Sequence, residues 1–412
     1  MNKHSEAISK LDAQLCCYRH PAKRYQTMTY YYHLGTVPHK RHTQFRDPTG
    51  SLYHEELMSI RGFTGIQSLL YHLHPPTQVY KILLEQTIAL EFEEVGALRH
   101  RHLRTQKVSS EGDAIASRIP LMANQDVCIS VAQPTEPMLY WYRFAHGDEV
   151  IFVHEGSGVL ESQYGQLHYR SGDYLVIPTG VMWRILPDTN IAQRMLMIEA
   201  QGHIDPPARY LNRYGQFLEH SPYSERDLRP PETLTPHDEM GEFEVRIKAR
   251  DRITTYLYHH HPLDVVGWDG YLYPYAFNIA DFEPITGRLH QPPPVHQTFE
   301  APGFVICSFV PRLFDYHPLA IPAPYNHSNV DSDEVLYYVE GNFMSRKGIE
   351  RSSITVHPGG IPHGPHPGMY EGSIGKERTD ELAVMIDTFR PLTLTRQAVE
   401  VEDTQYSYSW VA

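Results

Sequence analysis

The chain has 412 residues, 41% of them hydrophobic and 21% charged, a composition that supports a sizeable core and excludes wholesale disorder. With 36 basic and 49 acidic residues its net charge is −13, which speaks against nucleic-acid binding, where clustered Lys and Arg are needed. No apolar run approaches the roughly 18 residues of a membrane-spanning helix, and the length predicts two domains or a fused pair of sandwiches.

In chain order, residues 1–28 read as an N-terminal extension of helix-like composition. Its opening, MNKHSEAISKLDAQLCC, lacks the apolar core of a secretory signal, so a cytoplasmic chain is expected. The cysteines Cys16, Cys17, Cys128 and Cys307 show no CxxC spacing, which predicts reduced, buried thiols. Beyond Tyr30 the 32 Pro break helices and the 28 Tyr favour strands, and short strand-like runs alternate with turns such as DPTG at 47–50. The segment QVYKILLEQTIALEFEE at 78–94 predicts two paired strands, because β-branched and aromatic side chains cluster there. At 221–238, SPYSERDLRPPETLTPHD is Pro-rich and polar and predicts a linker or surface excursion. The expected division is a β domain over 29–280 and a second β domain over 281–412.

An internal repeat decides the fold class. DEVIFVHEG at 148–156 matches DEVLYYVEG at 333–341. Downstream of each lies a second motif, GDYLVIPTGVMW at 172–183 and SITVHPGGIPH at 353–363. Each copy places a Glu seven residues before a Gly, then a P-x-G turn three residues before a bulky side chain. Both motifs, repeated in order, resemble the paired motifs of a cupin barrel. The predicted fold is therefore all-β, a bicupin of two double-stranded β-helices.

The second copy carries ligands. His327 and Glu334 stand in its first motif and His363 closes its second. Two imidazoles and one carboxylate form a facial triad, the donor set of non-haem Fe(II) oxygenases, with open positions for substrate and dioxygen. Many cupins place a second His two residues after the first; here that residue is Asn329, so three protein ligands remain. In the first copy Glu149 persists, but Trp183 takes the place of His363. Indole cannot ligate a metal, so this repeat is degenerate and Trp183 is expected in the barrel core. The runs HHH at 259–261 and RHRH at 99–102 match no ligand spacing and read as surface or hydrogen-bonded histidines.

Several segments carry a wider resemblance: YHLGTVPHKRHTQFR (32–46), LYHEELMSIRGFTGIQSLLYHLHPPT (52–77), HPLDVVGWDGYLYPYAFN (261–278), HQTFEAPGFVICSFVPR (296–312) and IPHGPHPG (361–368). They resemble the homogentisate 1,2-dioxygenase family in its short bacterial form. That resemblance implies Fe(II), held by His327, Glu334 and His363, and cleavage of homogentisate with dioxygen to 4-maleylacetoacetate in tyrosine and phenylalanine catabolism. It implies His296 as the acid–base histidine, His357 as a further pocket histidine, and substrate contacts from His296, Asn329, His357 and Phe343. It also implies a homo-oligomer, a trimer or hexamer.

This chain departs from the family at Glu340 and Phe343, where an Arg and a Tyr are expected. A substrate acetate arm needs a cation or donor. Either Glu340 turns outward and Arg312, Arg346 or Lys347 serves, or the substrate is another para-diol such as gentisate or a plain hydroquinone. A non-catalytic metal-binding bicupin is the alternative from a different class.

Overall fold

The computed structural model describes residues 30–83, 86–94, 96–287, 293–341, 343 and 345–411; the helix-like stretch expected within 1–28 lies outside them. From Val127 to Ala200 the strands alternate between two sheets, apart from the hairpin of Ser157–Ser162 and Gly165–Arg170 within one of them. Val127–Ala132, Glu149–Glu155, Asp173–Ile177 and Arg194–Ala200 lie in one; Trp141–Phe144, Ser157–Ser162, Gly165–Arg170 and Met182–Pro187 lie in the other. This alternation is the double-stranded β-helix of a cupin barrel. Its inner sheet runs Tyr275–Asn278, Asp173–Ile177, Glu149–Glu155, Arg194–Ala200, Val127–Ala132, Ile119–Ala123, antiparallel throughout.

The second barrel repeats that order. Its main sheet runs Arg101–Leu103, Ile354–His357, Asp333–Glu340, Leu382–Thr388, Phe304–Phe309, Gln297–Ala301. Among the described residues its facing layer is reduced to the pair Arg312–Leu313 with Arg378–Thr379 and a single bridge between His327 and His363. Gly156 and Gly341 end the two copies of the first motif, and both adopt positive φ. A Cβ on Gly341 would stand 2.5 Å from the Asp380 carbonyl oxygen, so only glycine fits this turn.

The motif strands are apolar along nearly their whole length because both faces are covered. Glu149–Glu155 is buried at all but its last residue. The main sheets of the two barrels pack on each other through contacts such as Phe152 with Tyr337 and Tyr174 with Phe299, and one hydrophobic core runs through both. Each large side chain in that core contributes about 1.5–3 kcal/mol. Strands cross the expected 280/281 boundary in both directions. Arg101–Leu103 forms the edge of the second barrel's sheet, and Thr393–Leu394 pairs with Ile119–Ala123 in the first.

Two local expectations need correction. Lys81–Ile82 and Gln86–Thr87 are strands, but each pairs with Arg252–His260 and not with the other, because that long strand offers the open edge; IALEFE at 88–93, expected as the second strand, forms only a bridge from Phe92 to Thr395. Residues 221–238 are more than a surface excursion: Tyr223 is buried against Phe277, and Leu228–Arg229 adds a strand beside Tyr275–Asn278. Among the described residues Cys307 is buried, Cys128 is half-buried, and both are free thiols. No helix among them is long and apolar enough to cross a membrane.

Candidate metal centre

Glu334 is the second residue of its strand, flanked by His357 on one neighbour and Asp387 on the other. The adjacent Asp333 accepts hydrogen bonds from the Gly359 and Leu392 backbone N–H groups, 2.8 Å each. That carboxylate pins the Pro358–Gly360 turn, which leads the chain to His363. His363 and His327 then pair across the barrel by two reciprocal backbone hydrogen bonds of 2.8 Å. Their side chains converge on Glu334: His327 Nε2 lies 3.5 Å from Oε2 and His363 Nε2 lies 3.3 Å from Oε1. One donor atom from each residue falls within 4.8 Å of the others.

Electrostatics supports a cation here. Both ring nitrogens of His363 are buried without a hydrogen-bond partner, as is Oδ1 of Asp387. Burial opposes ionisation of Glu334, yet the adjacent imidazoles of His327, His357 and His363 outweigh it and hold the carboxyl well below its usual range. Burial and the neighbouring Glu334 push Asp387 up to about 8. Orphaned buried imidazole nitrogens beside an ionised carboxylate fit a divalent metal, which would satisfy them together.

His357 stands behind the triad. Its Nδ1 lies 2.8 Å from Glu334 Oε1 and its Nε2 lies 3.1 Å from the Tyr406 hydroxyl. A carboxylate only accepts, so Nδ1 carries the proton and Nε2 accepts from Tyr406. Burial lowers this imidazole to about 3, so it is neutral at physiological pH.

The first barrel shows what replaces a metal. Tyr142 and Trp183 pair across it as His327 and His363 do, and Trp183 Nε1 donates to Glu149 Oε2 at 3.1 Å. Ile177 takes the place of His357, and Glu199 that of Asp387. The Arg118 guanidinium reaches Glu199 at 2.7 Å and Glu149 at 3.2 Å, and Lys248 adds a second cation on Glu199. A cation belonging to the chain thus neutralises the carboxylates, and Trp183 is fully buried as the sequence suggests.

The other expected residues are spread more widely. The Asn329 carbonyl accepts from the Gly360 N–H, and its Nδ2 is buried without a partner. Phe343 packs edge-on against Tyr338 in a separate apolar cluster with Ala383. Glu340 is exposed. His296 is buried, its ring lies 4.5 Å from that of Phe309, and burial with nearby Arg312 lowers it to about 3. The strand ladder sets the neighbouring Gln297 level with Leu336, three strands away. That is about 14 Å measured along the sheet, at a spacing of about 4.8 Å per strand. No hydrogen bond or ring contact among the described residues joins His296 to the triad.

Sequence reasoning missed His100, Tyr406 and Trp410 at the site. His100 lies in the RHRH run; it is no ligand, but its ring sits 5.4 Å from His357 and 5.8 Å from His363. Trp410 Nε1 donates to the Gly364 carbonyl at 2.9 Å and closes the same wall. Their spacing gave no hint, because strand pairing alone carries residues 99–104 there. Tyr142 was legible: it precedes Glu149 by seven residues, as His327 precedes Glu334.

The chain matches the family model described as homogentisate 1,2-dioxygenase N-terminal over residues 114–279. It is 41% identical over 386 residues to a Saccharolobus solfataricus protein named "Putative dioxygenase", covering 93% of this chain and 99% of that one. To the homogentisate 1,2-dioxygenase of Emericella nidulans it is 27% identical over 243 residues, covering 56% of this chain and 52% of that enzyme. The alignment thus spans about half the length of the fungal enzyme. Among solved structures it resembles a cupin 2 conserved barrel domain protein from Leptotrichia buccalis, with 11% identity and a TM-score of 0.34 over 73% of this chain and 100% of that one.

Proposed function

The chain belongs to the homogentisate 1,2-dioxygenase family, and from that premise we propose that it is an Fe(II)-dependent enzyme converting homogentisate and dioxygen to 4-maleylacetoacetate. The observation that carries this reading is the convergence of His327, Glu334 and His363 within 4.8 Å, with His363 otherwise unpartnered. These three residues would hold the metal. Its chemistry, when bound, is to acidify a coordinated hydroxyl and to offer open positions for substrate and dioxygen.

The chain's own residues supply the rest. His357 fixes the orientation of Glu334 through its Nδ1–H, as outer hydrogen bonds to metal-binding carboxylates do. Its Nε2 accepts from the Tyr406 hydroxyl, which gives a hydrogen-bonded pair beside the triad for proton handling. His100, Trp410 and Tyr406 wall off water from that side. His296 belongs to this proposal as the family's acid–base position, but its place in the ladder favours His357 for proton handling at the metal side. A homo-oligomer is part of the same proposal, with exposed Tyr316, Leu319 and Val330 available for contact.

The test is oxygen consumption after anaerobic Fe(II) loading and removal of excess metal. Homogentisate should be consumed fastest, ahead of gentisate and hydroquinone. Consumption with none of the three would contradict the enzyme reading and favour a metal-binding module.

A further inference from the structure

The residue before each motif glutamate is a buried aspartate, Asp148 in the first barrel and Asp333 in the second. Asp148 Oδ1 accepts from the Thr179 backbone N–H at 2.8 Å, and its Oδ2 accepts from the Ile204 N–H at 2.9 Å. Asp333 Oδ1 accepts from the Gly359 N–H and its Oδ2 from the Leu392 N–H, at 2.8 Å each. The two clasps match position for position. Thr179 and Gly359 are the middle residues of the two P-x-G turns, four residues before Trp183 and His363. Ile204 and Leu392 each lie four residues past the strand beside the glutamate, Arg194–Ala200 and Leu382–Thr388.

After each clasped N–H the chain crosses at once to the other barrel. Asp205 bridges Glu300 through two reciprocal backbone hydrogen bonds, of 2.9 and 2.6 Å, and Thr393–Leu394 pairs with Ala123 and Met122. One carboxylate thus ties together the glutamate strand, the turn and the crossover. Hydrogen bonds to a carboxylate are roughly twice as strong as neutral ones, and buried N–H groups need partners, so the clasp is stiff. The copies differ in what the turn delivers. In the first barrel it leads to Trp183, and His203 Nδ1 adds a further contact to Asp148 at 2.5 Å. In the second it leads to His363, and Pro391, in the place of His203, brings no donor.

We propose that Asp333 is a positioning residue for the metal centre, which sets His363 against Glu334 and couples metal binding to the docking of residues 392–394 on the first barrel. This role depends on the metal reading of His327, Glu334 and His363, and not on ring cleavage. Asp148 holds the same clasp without a metal, so it serves as the control.

The probe is Co(II), whose visible absorption reports its coordination. Asp333→Asn should bind Co(II) about 10- to 100-fold more weakly than wild type, the range for a lost outer partner of a metal site, and its spectrum should shift. Asp148→Asn should lower the melting temperature comparably, yet keep the affinity within a few-fold and the wild-type spectrum. Hydrogen exchange is the second arm. In wild type Co(II) should slow exchange at the 392–394 amides and leave those of Ile204 and Asp205 unchanged; in Asp333→Asn the slowing should disappear. Wild-type affinity and spectrum in Asp333→Asn, or an equal loss in Asp148→Asn, overturns the positioning role. Should Asp333→Asn fail to fold, wild-type exchange decides: no slowing at 392–394, or equal slowing at both segments, overturns it. A wild type that holds no Co(II) removes the metal reading and this role with it. Co(II) bound equally by wild type and Asp333→Asn leaves the metal reading standing and removes only this role.

Discussion

His363 presents two buried ring nitrogens without partners, each costing about 1–3 kcal/mol unless a ligand satisfies it. Removing it leaves only His327 and Glu334, too few to hold a divalent metal firmly. His366 cannot substitute, because its Nδ1 accepts from the Lys347 N–H and its Nε2 meets the Ser409 hydroxyl, both at 3.0 Å. His363→Ala and Glu334→Ala should each lose bound iron and activity together, as elemental analysis would report; iron at wild-type stoichiometry in His363→Ala would refute the ligand set. His357 and His296 make a sharper contrast. His357→Asn breaks the contact to Glu334 and should lower turnover by two to four orders of magnitude, roughly the scale of a lost acid–base group. His296→Asn should keep its iron and lose less, and the reverse ranking would move proton handling to His296. The ligands were legible from spacing alone, since the motif fixes strand and turn. His100, Tyr406 and Trp410 were not, because they reach the site through pairings 250 or more residues apart in sequence, such as His102 with Thr355 and Leu103 with Glu402.

The strand carrying Glu149 and its neighbour carrying Glu199 bury two carboxylates on one guanidinium. Arg118→Met would leave Glu149 without a cation and Glu199 with Lys248 alone in an apolar barrel, at a cost of about 3–5 kcal/mol. Denaturant unfolding should show that loss, and Arg118→Met combined with Glu149→Gln should recover part of it; an unchanged midpoint in the single variant would mean that Lys248 alone suffices. A second element-level effect lies at the end of Gln67–His72. Burial alone would lower the His72 imidazole, but hydrogen bonds to Asp264 at 2.7 Å and Glu56 at 3.2 Å outweigh it and raise it to about 9. The folded chain therefore keeps a proton that the unfolded chain releases above its ordinary value of 6.5. That contribution, about 3 kcal/mol at most, is complete below pH 6.5 and disappears as pH rises through 9. The melting temperature should fall across that window in wild type and fall less in His72→Gln; parallel curves would contradict the pairing. At this scale the sequence spoke clearly where strands are buried on both faces, as in Glu149–Glu155. It spoke less clearly at 78–94, where strand propensity gave the strands but the partner was set by the open edge of Arg252–His260.

Across the molecule, one inherited barrel serves two purposes. In the first copy Arg118, Tyr142 and Trp183 fill the centre; in the second His327, Glu334 and His363 leave it open to a metal. The repeat made this division legible, because both motifs recur in order. The exchange of Arg101–Leu103 and Thr393–Leu394 between the barrels was not, since short edge strands carry no pattern of their own. The exchange joins the scaffold to the site: the first barrel's side of the chain supplies His100, and the C-terminal tail returns to supply Tyr406 and Trp410. The proposed reaction is insertion of dioxygen into a para-diol ring at the second barrel. Mass spectrometry of the product formed from homogentisate under isotopically labelled dioxygen tests that claim most directly. The account predicts a ring-opened product carrying both labelled oxygen atoms from the iron-loaded chain, and none from Glu334→Ala. An unopened quinone, or a product carrying no label, would contradict it.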